Sequence, residues 1–315
     1  MRSARRLGTA AGRGYPDDMS MRPSIPRGQP LARAIGLAAC VALAGAGVAL
    51  PGPAMADTLP HTQARLLAGP ARAGAVAGGI EIRLAPGWKT YWRYPGDSGV
   101  PPQIDWSRAR NIAAVEMDFP APQRFDDGAG GFSIGYKNTV LLPLRITLKD
   151  PDAPAHLDLS LDFAVCETLC TLAHSDLSAA VPAAEAPEAA AAEARISTAR
   201  ARLPKPAPLA APAGPAILAA RIDGTATPAR LIVDVRAASA QADLFVEGPD
   251  SRWALPLPQK IDAGPGRIRF ALPLEGVPAG AEATGAALRF TLVDGGEAIV
   301  TTAVPASAEL ADVRR

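Results

Sequence analysis

The sequence predicts an all-β protein: a β-sandwich, then a Pro-rich linker with a short helix, then a second small β-sandwich. Three observations carry this prediction. Apolar residues occupy every second position in many short segments, Gly, Pro and Asp clusters separate those segments, and a stretch rich in Ala, Pro, Glu and Arg interrupts them. Alternation places one face of a strand in a core and the other in water, and the clusters supply the turns.

The first sandwich is predicted over residues 57–183. Its clearest strand patterns are 80–84, 140–146 and 157–163. Many short strands without helical periodicity are typical of a β-sandwich.

The linker is predicted over residues 184–215. Pro187 and Pro204 bracket a helix-forming stretch, 188–203, which we expect to form a helix followed by a Pro-rich spacer.

The second sandwich is predicted over residues 216–315, with strands at 231–235, 242–246, 267–272 and 288–293. It contains no cysteine or histidine and has one tryptophan, Trp253. A scaffold or docking module is the interpretation that this composition favours.

Residues 1–56 read as a targeting segment. Scattered arginines precede an apolar run, 34–50, and Ala54-Met55-Ala56 resembles a signal-peptidase site. We therefore expect export to the periplasm, a mature start at Asp57 and no stable membrane insertion after cleavage. A lipoprotein attached through Cys40 is the alternative, because residues 37–40 resemble a lipobox.

Removing this segment changes the charge and the cysteine count. Seven of the 32 Lys and Arg and two of the 31 Asp and Glu are lost, which leaves 25 against 29, a formal charge of −4. The remaining sequence has no basic patch, so we do not expect a nucleic-acid partner. Only Cys166 and Cys170 remain, and pairing is the expected state in an oxidising compartment.

The motif Cys166-Glu167-Thr168-Leu169-Cys170 is the strongest chemical signal. If the intervening residues turn helically, the Cα atoms lie within the about 4.4 to 6.8 Å that a disulfide requires. As a structural bridge the pair would close a very short loop and restrict the unfolded chain little. As a redox pair it would release a mixed disulfide rapidly.

Copper binding is the third interpretation of this motif. Cys166, Cys170 and His174 offer two soft sulfurs and an imidazole at four-residue intervals, a set that suits Cu(I). A continuing turn would also bring His174 near the pair, where an imidazolium favours the thiolate.

A second motif is an aromatic run. Trp88, Tyr91, Trp92 and Tyr94 lie within seven residues and precede a turn at 95–99. The pattern indicates a strand that delivers aromatic rings to an edge loop. Burial of the rings in the core is favoured over a sugar-binding stripe.

Together these motifs resemble the amino-terminal domains of DsbD and ScsB, members of a thiol:disulfide interchange family. The resemblance covers roughly residues 60 to 183 and rests on motifs that fall in the same order: 87–106, 119–125, 135–144 and 165–170. It implies an immunoglobulin-like sandwich. In the family this domain takes electrons from a membrane-embedded disulfide reductase and passes them to oxidised periplasmic proteins, including thioredoxin-like ones.

The resemblance also implies roles for individual residues, with no cofactor. Cys170 would attack the partner's disulfide and Cys166 would resolve the mixed disulfide, although the reverse assignment stays open. Independently of the resemblance, the polar and aromatic character of residues 94–98 leads to the hypothesis that they shield the pair when no partner is docked.

Two departures from the family are visible. Thr171-Leu172 stands where many relatives carry a proline, and neither transmembrane helices nor a thioredoxin-like domain follows. We therefore expect a protein-disulfide reductase component that depends on a separate membrane protein. A copper-binding envelope protein and a non-catalytic interaction module with a structural disulfide are the alternatives.

Overall fold

The structure is a computed structural model that describes residues 58–59, 61–97, 99–127 and 130–307. The predicted signal segment, Cys40 and its lipobox lie outside these residues. Within the described part of the chain, no helix is long and apolar enough to cross a bilayer.

Two sheets build the first half of the chain. One has the strand order β1-β2-β3-β9-β6; the other has β11-β10-β4-β8-β7, and β5 pairs with β10. The strands are β1 (Thr58–Leu59), β2 (Thr62–Arg72), β3 (Ala75–Leu84), β4 (Lys89–Gly96), β5 (Gln103–Asp105), β6 (Ile112–Met117), β7 (Gln123–Asp126), β8 (Phe132–Lys137), β9 (Thr139–Leu148), β10 (His156–Cys166) and β11 (Cys170–Ala180).

The alternating pattern builds the core between these sheets. On β10, Leu157, Leu159, Leu161 and Phe163 are buried in one cluster with the inward residues of β3 and β9. The three predicted strand segments are confirmed: they lie within β3, β9 and β10. The fold class predicted from the sequence, an all-β sandwich, is therefore confirmed.

The helix α1 (Pro187–Arg200) ends three residues earlier than predicted. Ala189, Ala192, Ile196 and Ala199 form its buried face, and it packs on β2, β3 and β9. The helix is therefore a packed outer layer of the first sandwich.

Two further sheets build the second half, with strand orders β12-β19-β18-β15 and β16-β17-β14-β13-β20. Their strands are β12 (Lys205–Pro206), β13 (Ala216–Asp223), β14 (Arg230–Arg236), β15 (Asp243–Glu247), β16 (Gln259–Gly264), β17 (Arg267–Pro273), β18 (Leu288–Asp294), β19 (Glu297–Ala303) and β20 (Ala306–Ser307). The domain boundaries themselves stay predictions.

The second half has its own core but also contributes to the first. Most of its buried residues form a separate cluster. Phe245 and Leu257, however, belong to the cluster of the first sandwich, and the Phe245 ring meets that of Trp92 edge to face, with centroids 5.7 Å apart. The two sandwiches thus share part of a core.

Candidate functional site

The two cysteines face each other across the tip of a β-hairpin. β10 ends at Cys166 and β11 begins at Cys170, and the two residues form the last pair of the ladder, with Cα atoms 4.1 Å apart and a disulfide between them. The helical turn expected between them is wrong. Both strands keep their ladder up to the cysteines, so only residues 167–169 remain for the reversal.

The two cysteines differ in exposure. Cys166 is buried, with 5% of its surface exposed, whereas Cys170 is an exposed residue at the start of the edge strand β11. An incoming thiol can therefore reach the Cys170 side of the disulfide more readily than the Cys166 side.

Strand β4 supports the buried side of the pair. Lys89 lies opposite Cys166, and the Thr90 hydroxyl donates a hydrogen bond of 2.9 Å to the carbonyl oxygen of Ala164. Ala164 and Cys166 point away from the main core, because Phe163 and Val165 point into it. With Tyr91 they form a small separate buried cluster.

Tyr91 contacts the disulfide at Cys170, which is otherwise exposed. Its hydroxyl lies 3.0 Å from Cys170 Sγ and acts as the donor, because a disulfide sulfur carries no hydrogen. Burial raises the pKa of Tyr91, which keeps the phenol protonated. A Cβ placed on Gly99 would lie 2.5 Å from the Tyr91 ring, so glycine at this position allows the close approach.

This contact comes from a residue outside the predicted shield. Residues 94–98 were expected to cover the pair, but the contact comes from Tyr91, and the Tyr94 hydroxyl instead donates to the carbonyl oxygen of Leu255 at 2.5 Å. Ser98 lies outside the described residues. The aromatic run in the sequence contained Tyr91 but did not distinguish it from its neighbours.

The other aromatic rings are divided between core and surface. Trp92 is fully buried in the core, as the favoured interpretation expected. Trp88 is partly buried and stacks on His61, with ring centroids 4.3 Å apart and an interplanar angle of 5°. No sequence pattern pointed to His61, because it lies more than 20 residues before the aromatic run.

An apolar surface surrounds the exposed cysteine. Leu169 is 80% exposed and Leu172 is 75% exposed. Beside them, a cavity of about 250 Å³ is lined by His61, Trp88, Leu172 and residues of β2, β10 and β11. Large exposed leucines on both sides of a reactive group are typical of a surface that contacts another protein.

His174 does not join the cysteines. It lies on β11 opposite Asp162, and its Nδ1 is 2.7 Å from Asp162 Oδ1. Each strand residue advances the chain by about 3.3 Å, so four residues of extended strand separate it from Cys170 by much more than a coordination bond. Among the described residues no group of three or more His, Cys, Asp or Glu side chains could hold a metal ion, so the copper set with His174 is not assembled.

The polar face of this hairpin carries its own ion-pair network. Asp162 raises the pKa of His174 through a hydrogen bond. Arg108, 2.6 Å from Asp176, is the main cause that lowers the pKa of Asp176 to about 2, and the Ser160 hydroxyl adds to it. These charges lie on the same face as Cys170 but farther along the strands.

Comparisons with known proteins agree with this geometry. Residues 56–182 match a family model described as thiol:disulfide interchange protein DsbD, N-terminal. The chain is also similar to the N-terminal periplasmic domain of ScsB from Proteus mirabilis, with 26% sequence identity and a TM-score of 0.63. That match covers 79% of this chain and 96% of the ScsB domain, so it extends past residue 182.

Other comparisons add no argument. Domains D2 and D3 of the major pilin SpaD from Corynebacterium diphtheriae share 10% identity at a TM-score of 0.21, with 77% of this chain and 89% of that chain covered. The comparison with curated proteins found no match.

Proposed function

We propose that this chain exchanges thiols and disulfides through Cys170 and Cys166, because residues 56–182 match the family model of DsbD amino-terminal domains and the chain is similar to the ScsB N-terminal domain. The family supports a thiol-disulfide interchange role. The observation that supports different roles for the two residues is their unequal exposure: Cys170 is exposed, whereas Cys166 is buried.

The exchange balances as two thiol-disulfide steps. A thiolate of a reduced protein partner attacks Cys170 Sγ, the bond to Cys166 breaks, and Cys166 leaves as a thiolate that takes up a proton. The second thiolate of the partner then attacks the mixed disulfide, and Cys170 leaves and is protonated. The partner is oxidised to a disulfide, and this chain is reduced by two electrons to a dithiol.

Delivery of the electrons follows the same steps in reverse. The Cys170 thiolate attacks the disulfide of an oxidised protein, and Cys166 resolves the mixed disulfide. Because the two cysteines are close in sequence, Cys166 can resolve the mixed disulfide rapidly. The disulfide closes a loop of only five residues, which as a structural bridge would restrict the unfolded chain little.

The proposed location and partners follow from the family. We place the chain in the periplasm, between a membrane-embedded disulfide reductase that supplies electrons and thioredoxin-like proteins that receive them. The exposed leucines at 169 and 172 would contact the surface around the partner's own cysteine pair.

The first test is the reduction potential of the pair in the chain from residue 57 to residue 315. We expect a value between about −120 and −270 mV, the range of exchange proteins; a value well below about −300 mV would indicate a structural bridge and overturn the proposal.

The second test is trapping. Reduced Cys166→Ser, mixed with an oxidised thioredoxin-like protein, should form a mixed disulfide through Cys170. The matched variant Cys170→Ser should form none, because the remaining thiol is buried. Trapping only by Cys170→Ser would reverse the two roles.

A further inference from the structure

Strand β4 joins the cysteine site to the second sandwich. Tyr91 contacts Cys170, and the three residues that follow it all contact the second half of the chain. Trp92 packs on Phe245, the Arg93 guanidinium donates two hydrogen bonds of 2.7 Å to Glu247, and Tyr94 donates to Leu255. Four consecutive residues therefore connect the disulfide with the other sandwich.

These contacts replace the missing sheet pairing of β4. Its ladder with β8 includes residues 89–91 and then resumes only at Gly96, and its ladder with β10 includes only residues 89–90. Within the described register, residues 92–95 have no ladder partner. The chain directly after Tyr91 is held on the second sandwich instead of on a neighbouring strand.

The ion pair in this contact is partly desolvated. The side chains of Arg93 and Glu247 are 25% and 13% exposed, and the guanidinium also lies 4.2 Å from the Trp92 ring centroid. A bidentate pair between half-buried groups fixes both position and orientation. A shift at Arg93 reaches Tyr91 within two residues of extended chain, about 7 Å.

We propose that the second sandwich holds β4 in place and so keeps Tyr91 against Cys170, which makes Arg93 and Tyr94 positioning residues for the exchange site. The inference rests on the proposed function for its biological meaning. Loosening the contact between the sandwiches frees the Tyr91 ring and removes it from the Cys170 sulfur, which gives an incoming thiol wider access to that atom. The second half, whose sequence contains no cysteine, thereby sets the rate of exchange.

The chain offers a matched control for this idea. Arg124 on β7 makes an equally bidentate pair with Asp243, at 3.0 and 2.7 Å, and its partner also belongs to β15. The exposures, 17% and 25%, are similar to those of the other pair. This second pair joins the same two sandwiches but does not involve β4.

The experiment measures the rate at which dithiothreitol reduces the disulfide in the chain from residue 57 to residue 315. Tyr91→Ala, which removes the cover, sets the upper limit. We expect Glu247→Ala and Tyr94→Phe to accelerate reduction about five- to tenfold, since loss of such a contact shifts a closed-to-open equilibrium by that order. Asp243→Ala should lower the unfolding midpoint like Glu247→Ala but change the rate less than about twofold.

The double variant Tyr91→Ala/Glu247→Ala shows whether Glu247→Ala acts by releasing Tyr91 or by loosening the whole fold around the disulfide. Its rate should equal that of Tyr91→Ala alone. Equal acceleration by Asp243→Ala, further acceleration in the double variant, or no acceleration by Tyr91→Ala would overturn the inference. Dithiothreitol requires no protein partner, so failure of the trapping test would refute the proposed function and leave this result standing.

Discussion

Replacing Phe245 by alanine tests whether the two sandwiches share a core. Phe245 lies on β15 of the second sandwich, yet it is fully buried in the hydrophobic cluster of the first, with its ring against Trp92. Truncation of a buried phenylalanine costs about 3 to 5 kcal/mol, a range that includes the loss of its edge-to-face contact. With a urea dependence of about 2.5 kcal/mol per molar, the unfolding midpoint should fall by about 1.5 M.

The assay follows the first sandwich alone. Three of the four tryptophans, Trp88, Trp92 and Trp106, lie in the first half. In a Trp253→Phe background, tryptophan fluorescence during a urea titration therefore reports only on that half. Phe245→Ala should lower the midpoint of this signal although the substitution lies in the other sandwich.

Phe270→Ala is the control. Phe270 is as buried as Phe245 but belongs only to the cluster of the second sandwich. It should shift the fluorescence midpoint of the first half less than Phe245→Ala does. If Phe245→Ala costs less than about 1 kcal/mol by this signal, as an ordinary surface substitution would, the shared core is refuted.

Three further predictions concern the hairpin that carries the cysteines. Leu172→Ser should slow exchange with a thioredoxin-like protein about tenfold or more, because the side chain is mostly exposed and its apolar area is buried only in a complex. Reduction by dithiothreitol and the unfolding midpoint should stay unchanged. Equal slowing of the reaction with dithiothreitol would contradict this prediction. Because the pKa of His174 is raised in the folded state, its interaction with Asp162 stabilises the fold fully below about pH 6.5, and this stabilisation is lost as the pH rises through the folded-state pKa. His174→Gln should therefore remove this part of the pH dependence of the free energy of unfolding, measured by chemical denaturation. Arg108→Gln should raise the pKa of Asp176 from about 2 towards its ordinary value of 3.8, so that less stability is lost as the pH falls from 3.8 to about 2. NMR titration of the carboxyl measures this, and an unchanged pKa would refute the role of Arg108.

The strands and the cysteine pair could be predicted from the sequence because both depend on local pattern. Alternation along 157–163 determines which side chains of β10 face the core, whatever the neighbouring strands are. A separation of four positions brings two cysteines together in either a helical turn or a hairpin. The disulfide could therefore be predicted from the sequence, but the helical turn expected between the cysteines was wrong, because they lie in a β-hairpin.

His174 shows the consequence of that choice. A helical turn would have placed it near Cys170, one turn along the chain. In the hairpin, the extended strand moves it away and pairs it with Asp162 on β10. The predicted copper set relied on this turn to bring His174 to the cysteines, and the hairpin does not do so; copper binding by Cys166 and Cys170 stays a prediction.

Only the tertiary structure decided which cysteine is exposed, which aromatic ring covers it and what the second sandwich contacts. Tyr91 meets Cys170 across 79 positions of sequence, and Arg93 meets Glu247 across 154. Period-two alternation determines which way a side chain points but not which strand lies beside it. That choice depends on the strand order of the sheets and on how the two sandwiches pack, and both are set by the burial of the whole chain rather than by any local segment.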